Sequence, residues 1–435
     1  MSDTHQLFVN HLLRRTHFGV SRSQIEMAMP LDRDELLRLW VDEAESPRFP
    51  ARPGLINRER QSYADFLKLV KTELQRLSSS KSGLGDRMLW FWHSLITTSF
   101  EKVNFPGLIW RQHQMMAKHA MGSFRDLLIA ICTDPAMLIY LDGDGSTGTD
   151  PNENYARELL ELFSMGRGHY SQNDVAAAAK ALSGWYLQGI PDNPRRRYAP
   201  GRVKAVFSSE DAWSQPVEFL GHSAQYGVNE LVERILQHEA TALYIVRQLF
   251  NSFVHDKPTQ TVLEELAAVF RDADYQIRPL LQALFRHPEF TSAQALAGRA
   301  RLPLEWFMAV KTATGLALKH LDFESYLDAS GQMPFAPANV AGWRVGVRWL
   351  SAPCAMARQG VCLQVLELNG RQRIIDSIAD ADDPIAETLA WLSLMEISNL
   401  TRQQLQTAVQ QVTDRTDQAR LLLSLALAAP EFAIT

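Results

Sequence analysis

The sequence predicts an all-α protein: a multi-helix globular array with long Pro- and Gly-rich connecting loops and at most a small β-hairpin. Three observations carry that expectation. Apolar residues recur at three- and four-residue spacing in "SYADFLKLVKTELQRL", "RDLLIAI", "NELVERILQHEATALYIVRQLFNSFV" and "QLQTAVQQVTDRTDQARLLLSLAL", the period of a helix with one buried stripe. Two-residue alternation is scarce, and strand-like pieces such as "RVKAVF" are short and isolated. With 435 residues, 46% of them hydrophobic, the chain can also bury a sizeable core.

From the N-terminus onward, each stretch fits that class. "MSDTHQLFVNHLLRRTHFGV" interrupts its apolar residues with His5, His11, Arg14 and Arg15, so it lacks the continuous apolar centre of a secretory leader. A cytoplasmic location is expected, with export alongside a partner left open. The most apolar stretches, "DLLIAICTDPAMLIYL" and "LLLSLALAAPEFAIT", are broken by Asp134, Pro135 and Pro430 and fall short of the roughly 20 apolar residues that span a bilayer. No membrane insertion is expected. A formal charge of −5 with both signs mixed along the chain gives no reason to expect nucleic acid, and "PRRRY" at 194–198 is too short to change that. Cys132, Cys354 and Cys362 show no CxxC spacing, which points to reduced buried thiols. The organisation read from this pass is an N-terminal helical half over 1–187, a long irregular loop over 188–227, and a C-terminal helical half over 228–435, the halves being able to form one continuous domain.

The most structured signal is "YLDGDGSTGTDPNENYARELLELFSMGRGHY". Asp150 can cap a helix, Pro151 suits its first turn, Glu153 occupies the capping-box position, and Gly166 suits the left-handed stop. Tyr155, Ala156, Leu159, Leu160, Leu162 and Phe163 share one arc, and Glu153, Arg157 and Glu161 can form a surface charge ladder on the other. Asn154 and Glu158 fall outside that ladder. Together with His93, they are the candidate catalytic residues, although His93 amid "LWFWHSL" reads first as a hydrogen-bonded buried histidine. In the preceding loop Asp142, Asp144, Ser146, Asp150 and Glu153 stand at positions one, three, five, nine and twelve of an EF-hand-like spacing, with Ca2+ as the cofactor it would take. Thr147 replaces the glycine that motif needs at position six, and Pro151 sits at position ten. An ordinary Asp/Gly/Ser/Thr turn whose side chains bond their own backbone ranks ahead of an ion site.

The chain resembles a bacterial family, the "domain of unknown function 1800" proteins. The matching pieces are "HLLRRTHFG", "FWHS" at Phe91 to Ser94, "HAMGSFRDLLIAICTDPAMLIYLD", "PNENYARELLELFSMG", "DVAAAAKALSGW" and "PANVAGWRVGVRWL" at Pro337 to Leu350, in family order across nearly the whole chain. The resemblance implies a bacterial protein of a family that is often exported and often encoded beside a companion resembling the alkaline phosphatase and sulfatase superfamily. Two departures stand out. Leu95 replaces the second histidine of the family's His-x-His after "FW", and no histidine precedes Leu220 and Gly221, where Asp211 alone remains of a His-Asp pair.

No nucleophile elbow, P-loop, dinucleotide fingerprint or HExxH is present in the sequence. The function expected from these readings is therefore a non-catalytic helical accessory or partner-binding component. The alternative is an enzyme, hydrolase-like or metal-assisted, diverged or inactive, with its polar site around Asn154, Glu158 and His93.

Overall fold

A computed structural model describes residues 3–49, 63–78, 83–190, 202–296, 298–344, 346–367, 373–394 and 396–435. The basic run at 194–198 lies outside the described residues. Helix α1 spans Asp3–Thr16. Helix α2, Tyr63–Leu77, buries Phe66, Leu69, Val70, Leu74 and Leu77 on the arc that three- and four-residue spacing predicts, and Glu73 lies within that apolar arc. Helix α3, Leu84–Leu95, is buried from Leu84 through His93 on every side, as a central helix must be. It packs against α4, Pro106–His119, which begins on a proline at its first position.

Helix α5, Glu153–Glu158, continues into a wider π-helical turn over Leu159–Ser164, where the Ser164 hydroxyl donates to Leu159 O at 2.7 Å. The cap is Asn152 rather than Asp150. Its Oδ1 accepts from Tyr155 N at 3.0 Å, while its Nδ2 donates to the carbonyls of Leu141 and Asp142. Only an amide can both cap the helix and donate back to the loop, which a carboxylate at 150 cannot do. Gly166 ends the segment at φ +79° as its sequence position predicts, and a Cβ there would meet the Tyr244 ring at 2.8 Å.

Helix α6, Gln172–Ala181, leads into the region expected to be irregular. That region instead carries strands. β1, Trp185–Gln188, pairs antiparallel with β2, Lys204–Phe207, and β3, Val217–Phe219, pairs with β4, His222–Ala224. Strands of three or four residues are too short to show a two-residue period. The β3–β4 turn runs through Leu220 and Gly221, both at positive φ, the geometry of a two-residue hairpin. Leu220 is held there by Asp174 Oδ1, which accepts from its N–H at 2.7 Å, and by Arg234, which donates to its carbonyl.

The remaining elements that matter here are α7, Glu239–Phe253, α8, Pro303–Thr314, and α9, Ala352–Leu366, the last preceded by a 3-10 turn at Gly346–Leu350. One cluster of buried apolar side chains runs from Phe8 to Phe432 through both halves of the chain. Strands are confined to the two small pairs among the described residues, so the predicted helical class holds. Among the same residues no helix is long and apolar enough to cross a membrane.

Candidate functional site

Helices α3 and α7 face each other across a cleft of about 390 Å3. From α3 come Arg87, Phe91, Ser94 and Leu95, and from α7 come Tyr244, Gln248, Asn251 and Ser252, each set at helical spacing that brings it to one face. The start of α8 supplies Glu305, and Ala341, Trp343, Arg344, Gly346, Val347 and Arg348 form the rim. Gly342 makes that rim possible: it sits at φ +85°, and a Cβ would lie 2.6 Å from Ser94 O. This close approach presses Trp343 inward, its ring centroid 5.5 Å from that of His93.

On the floor of the cleft, two guanidinium groups share one carboxylate. Arg87 donates to Glu305 Oε1, and Arg299 donates to Oε2 at 2.5 Å. All three side chains are buried. Burial by itself would raise the Glu305 carboxyl, but Arg299 and Arg87 outweigh it and hold the group below the ordinary carboxylate range. Burial also brings the Arg299 guanidinium down to about 10. The Nε–H of Arg87 and that of Arg299 have no acceptor. Behind them Arg15 is fully buried and donates to the carbonyls of Ala295 and Thr435.

A second polar network lies on the neighbouring face of α3. Glu73 accepts from Arg76 through both oxygens, at 2.5 and 2.7 Å, and from Trp90 Nε1 at 2.8 Å, with His113 Nε2 at 3.2 Å. Arg76 also donates to Asp86. Burial opposes the charged form of Glu73, yet Arg76 and His113 win and keep it strongly depressed. His93 is buried among the rings of Trp90, His113, Phe335 and Trp343, all with centroids within 5.5 Å. The sequence pattern predicts a hydrogen-bonded histidine there, but neither ring nitrogen has a protein partner. Burial drives its pKa well down, so the ring is neutral and serves as one more aromatic plate. A more open hollow of about 550 Å3 at the other end of α3 is lined by His17, Trp40 and five charged residues, among which Arg76 is bonded to Asp86 and Arg48 to Glu45.

The residues singled out by the sequence are not brought together. Asn154 is exposed, Glu158 is half-buried beside Glu161, and His93 is sealed among its rings. Burial, then Glu161, raises the Glu158 carboxyl. Asp142 is turned to Lys102 Nζ at 2.7 Å, Asp144 Oδ1 accepts from Leu187 N at 2.7 Å, and the Ser146 hydroxyl accepts from Asn152 N at 3.0 Å. Asp150 closes a turn on Thr147, and Glu153 accepts from Gln172 Nε2 at 2.6 Å. No three His, Cys, Asp or Glu side chains gather where they could hold an ion among the described residues. The loop is stitched down by its backbone instead: Gly145 N donates to Trp185 O, Gly184 N to Ser146 O and Gly148 N to Asp211 O. Asp211 contributes this carbonyl to the loop.

The residues that do line a cleft are hidden from the sequence because their partners are remote. Arg87 and Glu305 are 218 positions apart. The usable signal is a charge inside an apolar pattern, as with Arg87 in "LGDRMLWFWHSL" and Glu73 in "FLKLVKTELQRL".

The chain belongs to the family described as "Protein of unknown function (DUF1800)", whose model matches residues 11–434. No curated protein and no solved structure matches the chain. Several of the pieces that carry the resemblance meet at the cleft: "THFG" through Phe18, "FWHS" through Phe91 and Ser94, "PNENYARELLELFSMG" through Leu162, and "PANVAGWRVGVRWL" through Trp343, Arg344 and Arg348.

Proposed function

We propose that this chain is a non-catalytic accessory protein that binds a companion protein through the cleft between α3 and α7. The observation that carries the reading is the continuation of the cleft's aromatic wall into exposed apolar side chains. Phe18, Trp90, Phe91 and Trp343 line the inside, and along the chain from the rim Val347, Leu350 and Met356 stand exposed, Val347 at 71% and Met356 at 72%. A small molecule would be enclosed by the cleft and leave those side chains in water, whereas a protein segment running out over the rim would cover them. The polar groups that reach the cleft are arginines, amides, carboxylates and the hydroxyls of Ser94, Tyr244 and Ser252, and among the described residues no histidine or cysteine lines it beside those hydroxyls. Glu305 is tied by two guanidinium groups, which removes it as a proton acceptor. The companion of alkaline phosphatase and sulfatase type that the family resemblance implies is the partner we assign to this surface.

A photo-crosslinking residue at Val347, in the native host, tests this directly. The expected result is one companion protein joined at Val347 and none when the same residue is placed at exposed Gln410. Equal yields at the two positions, or no adduct at Val347, would overturn the proposal.

A further inference from the structure

Four arginines, Arg87, Arg299, Arg344 and Arg348, line the cleft against two carboxylates, Glu305 and Asp256. Arg344, Arg348 and Asp256 are exposed, whereas Arg87 and Arg299 are 5% and 7% exposed and Glu305 is 3% exposed. The excess of positive charge therefore extends to the dry floor, where one carboxylate serves two guanidinium groups and both Nε–H donors lack an acceptor. A buried donor without a partner costs more than its bond would yield, and a buried charge without compensation costs more still. Arg15 and Arg301, also buried, add to the positive field rather than relieve it.

We infer that the cleft takes a carboxylate carried on an aromatic or aliphatic body, seated against the Arg87–Arg299 pair. Glu305 displays the chemistry the pair accepts, since each guanidinium grips one of its oxygens. The walls select the body that brings the incoming group. Phe18, Trp90, Phe91 and Trp343 offer flat apolar surface, which disfavours a hydrated inorganic dianion and favours a single charge at the end of an apolar side chain or chain terminus. A volume of about 390 Å3 admits a group of that size. This deepens the partner-binding reading and rests on it, the carboxylate being the anchor of the companion's segment.

The test uses the full chain and a matched pair of probes, N-acetyltryptophan and N-acetyltryptophanamide, which share a body and differ in charge. Calorimetric titration should show the acid binding at least about tenfold more tightly than the amide, as charge-assisted hydrogen bonds imply. That margin should shrink as sodium chloride rises. N-acetyl-Trp-Glu-amide, compared with the acid, separates a side-chain carboxylate from a chain end. Inorganic phosphate at the same concentration should not displace either. Glu305→Gln removes the internal competitor, so acid binding should tighten about tenfold while amide binding stays level. If that variant does not fold, the exposed double variant Arg344→Gln/Arg348→Gln serves, with the acid's preference reduced and the melting temperature retained. Equal affinities for acid and amide in the folded protein overturn the inference. A crosslink at Val347 with no acid preference means that the anchor is wrong and the partner site stands, whereas loss of both removes both.

Discussion

Helix α3 carries two buried charged networks on faces about 100° apart, and they are finished differently. Asp86 and His93 face the Glu73 network, Arg87, Phe91 and Ser94 face the cleft, and Trp90 borders both, its Nε1 on Glu73 and its ring in the cleft wall. Around Glu73 the acceptors are saturated: both oxygens are filled by Arg76, and Oε1 also takes Trp90, with His113 Nε2 3.2 Å away but not hydrogen-bonded. Around Glu305 the leftover donors are guanidinium ones, an Nε–H on each arginine, whereas beside Glu73 the leftover nitrogens are those of the His113 ring, whose pKa burial lowers. A network closed on its own carboxylates needs nothing from outside and holds helices in place. One with donors in excess beside a cleft has capacity for a further anion. Charge alone does not separate the two, since both glutamates are held ionised against burial. What separates them is which side of the pairing is incomplete.

The largest effect should come from breaking the closed network. Glu73→Gln leaves Arg76 with Asp86 as its only carboxylate and should cost about 3–5 kcal/mol in urea denaturation, the range for removing one member of a buried ion pair. Glu305→Gln should cost a similar amount in dilute buffer. The comparison lies in the rescue. Acetate, tested against sodium chloride at matched ionic strength, should restore part of the Glu305→Gln stability through the cleft and none of the Glu73→Gln stability. Equal responses in the two variants would erase the distinction between a closed and an open network.

A third buried carboxylate sharpens the comparison by having no guanidinium bonded to it. Asp134 accepts from Gln112 Nε2 at 2.8 Å and from Met137 N at 3.0 Å, and burial outweighs these donors, the Ala136 N–H and the charge of Arg111 to push it up to about 6. Its folded pKa lies above its unfolded one, so its stabilising contribution is complete below the ordinary aspartate range and is lost as pH rises through about 6. The two depressed glutamates behave oppositely, contributing above their ordinary range and failing as pH falls. Between pH 4 and 7 the wild type should therefore lose about 2 kcal/mol relative to Asp134→Asn, a tenfold change in proton affinity being worth about 1.4 kcal/mol. Parallel urea midpoints for the two proteins across that interval would show that Asp134 is not protonated in the fold.

How much of this is legible in the sequence follows from the range of the interactions. The helices are, because their periodicity is local: Tyr63–Leu77 lies within the stretch whose three- and four-residue spacing marks it, and Gly166 stops its segment where a left-handed residue is expected. The cap falls two residues from its expected place, since the choice of Asn152 depends on carbonyls at 141 and 142 that the local pattern does not reveal. Of the short strands, β2 lies within the strand-like "RVKAVF", and the other three escape notice for want of length. The cleft is almost entirely invisible, because Arg87, Arg299 and Glu305 meet only after the two halves of the chain pack on one core. Trp343 is buried, but its role as a cleft wall depends on α7 across the gap.

The rim offers a smaller perturbation. Gly342→Ala places a Cβ against Ser94 O in a backbone conformation that alanine rarely adopts, with an expected loss of about 1–3 kcal/mol. The displacement would move Trp343 and Arg344, so N-acetyltryptophan binding should fall while the Glu73 network, read by the acid limb of the pH profile, is unaffected. If binding survives at wild-type affinity, the rim is not part of the site.

The smallest effect belongs to the surface features that the sequence advertises most clearly. Glu153 and Arg157 sit 3.8 Å apart, and Gln172 bridges them, accepting from Arg157 at 2.8 Å and donating to Glu153 at 2.6 Å. The predicted ladder stops there, because Glu161 turns to Arg167 and to the Tyr170 hydroxyl instead. All of this is in solvent reach, where an ion pair gains little Coulomb energy over water and gives up side-chain freedom. Arg157→Ala should therefore change stability by no more than about 0.5 kcal/mol and leave probe binding untouched. A loss of several kcal/mol would mean that the polar arc of α5 does more than face water, and it would return Asn154 and Glu158 to consideration. A null result, set beside the cost of Glu73→Gln, would place the chain's electrostatic stabilisation where the charges are buried and their partners remote.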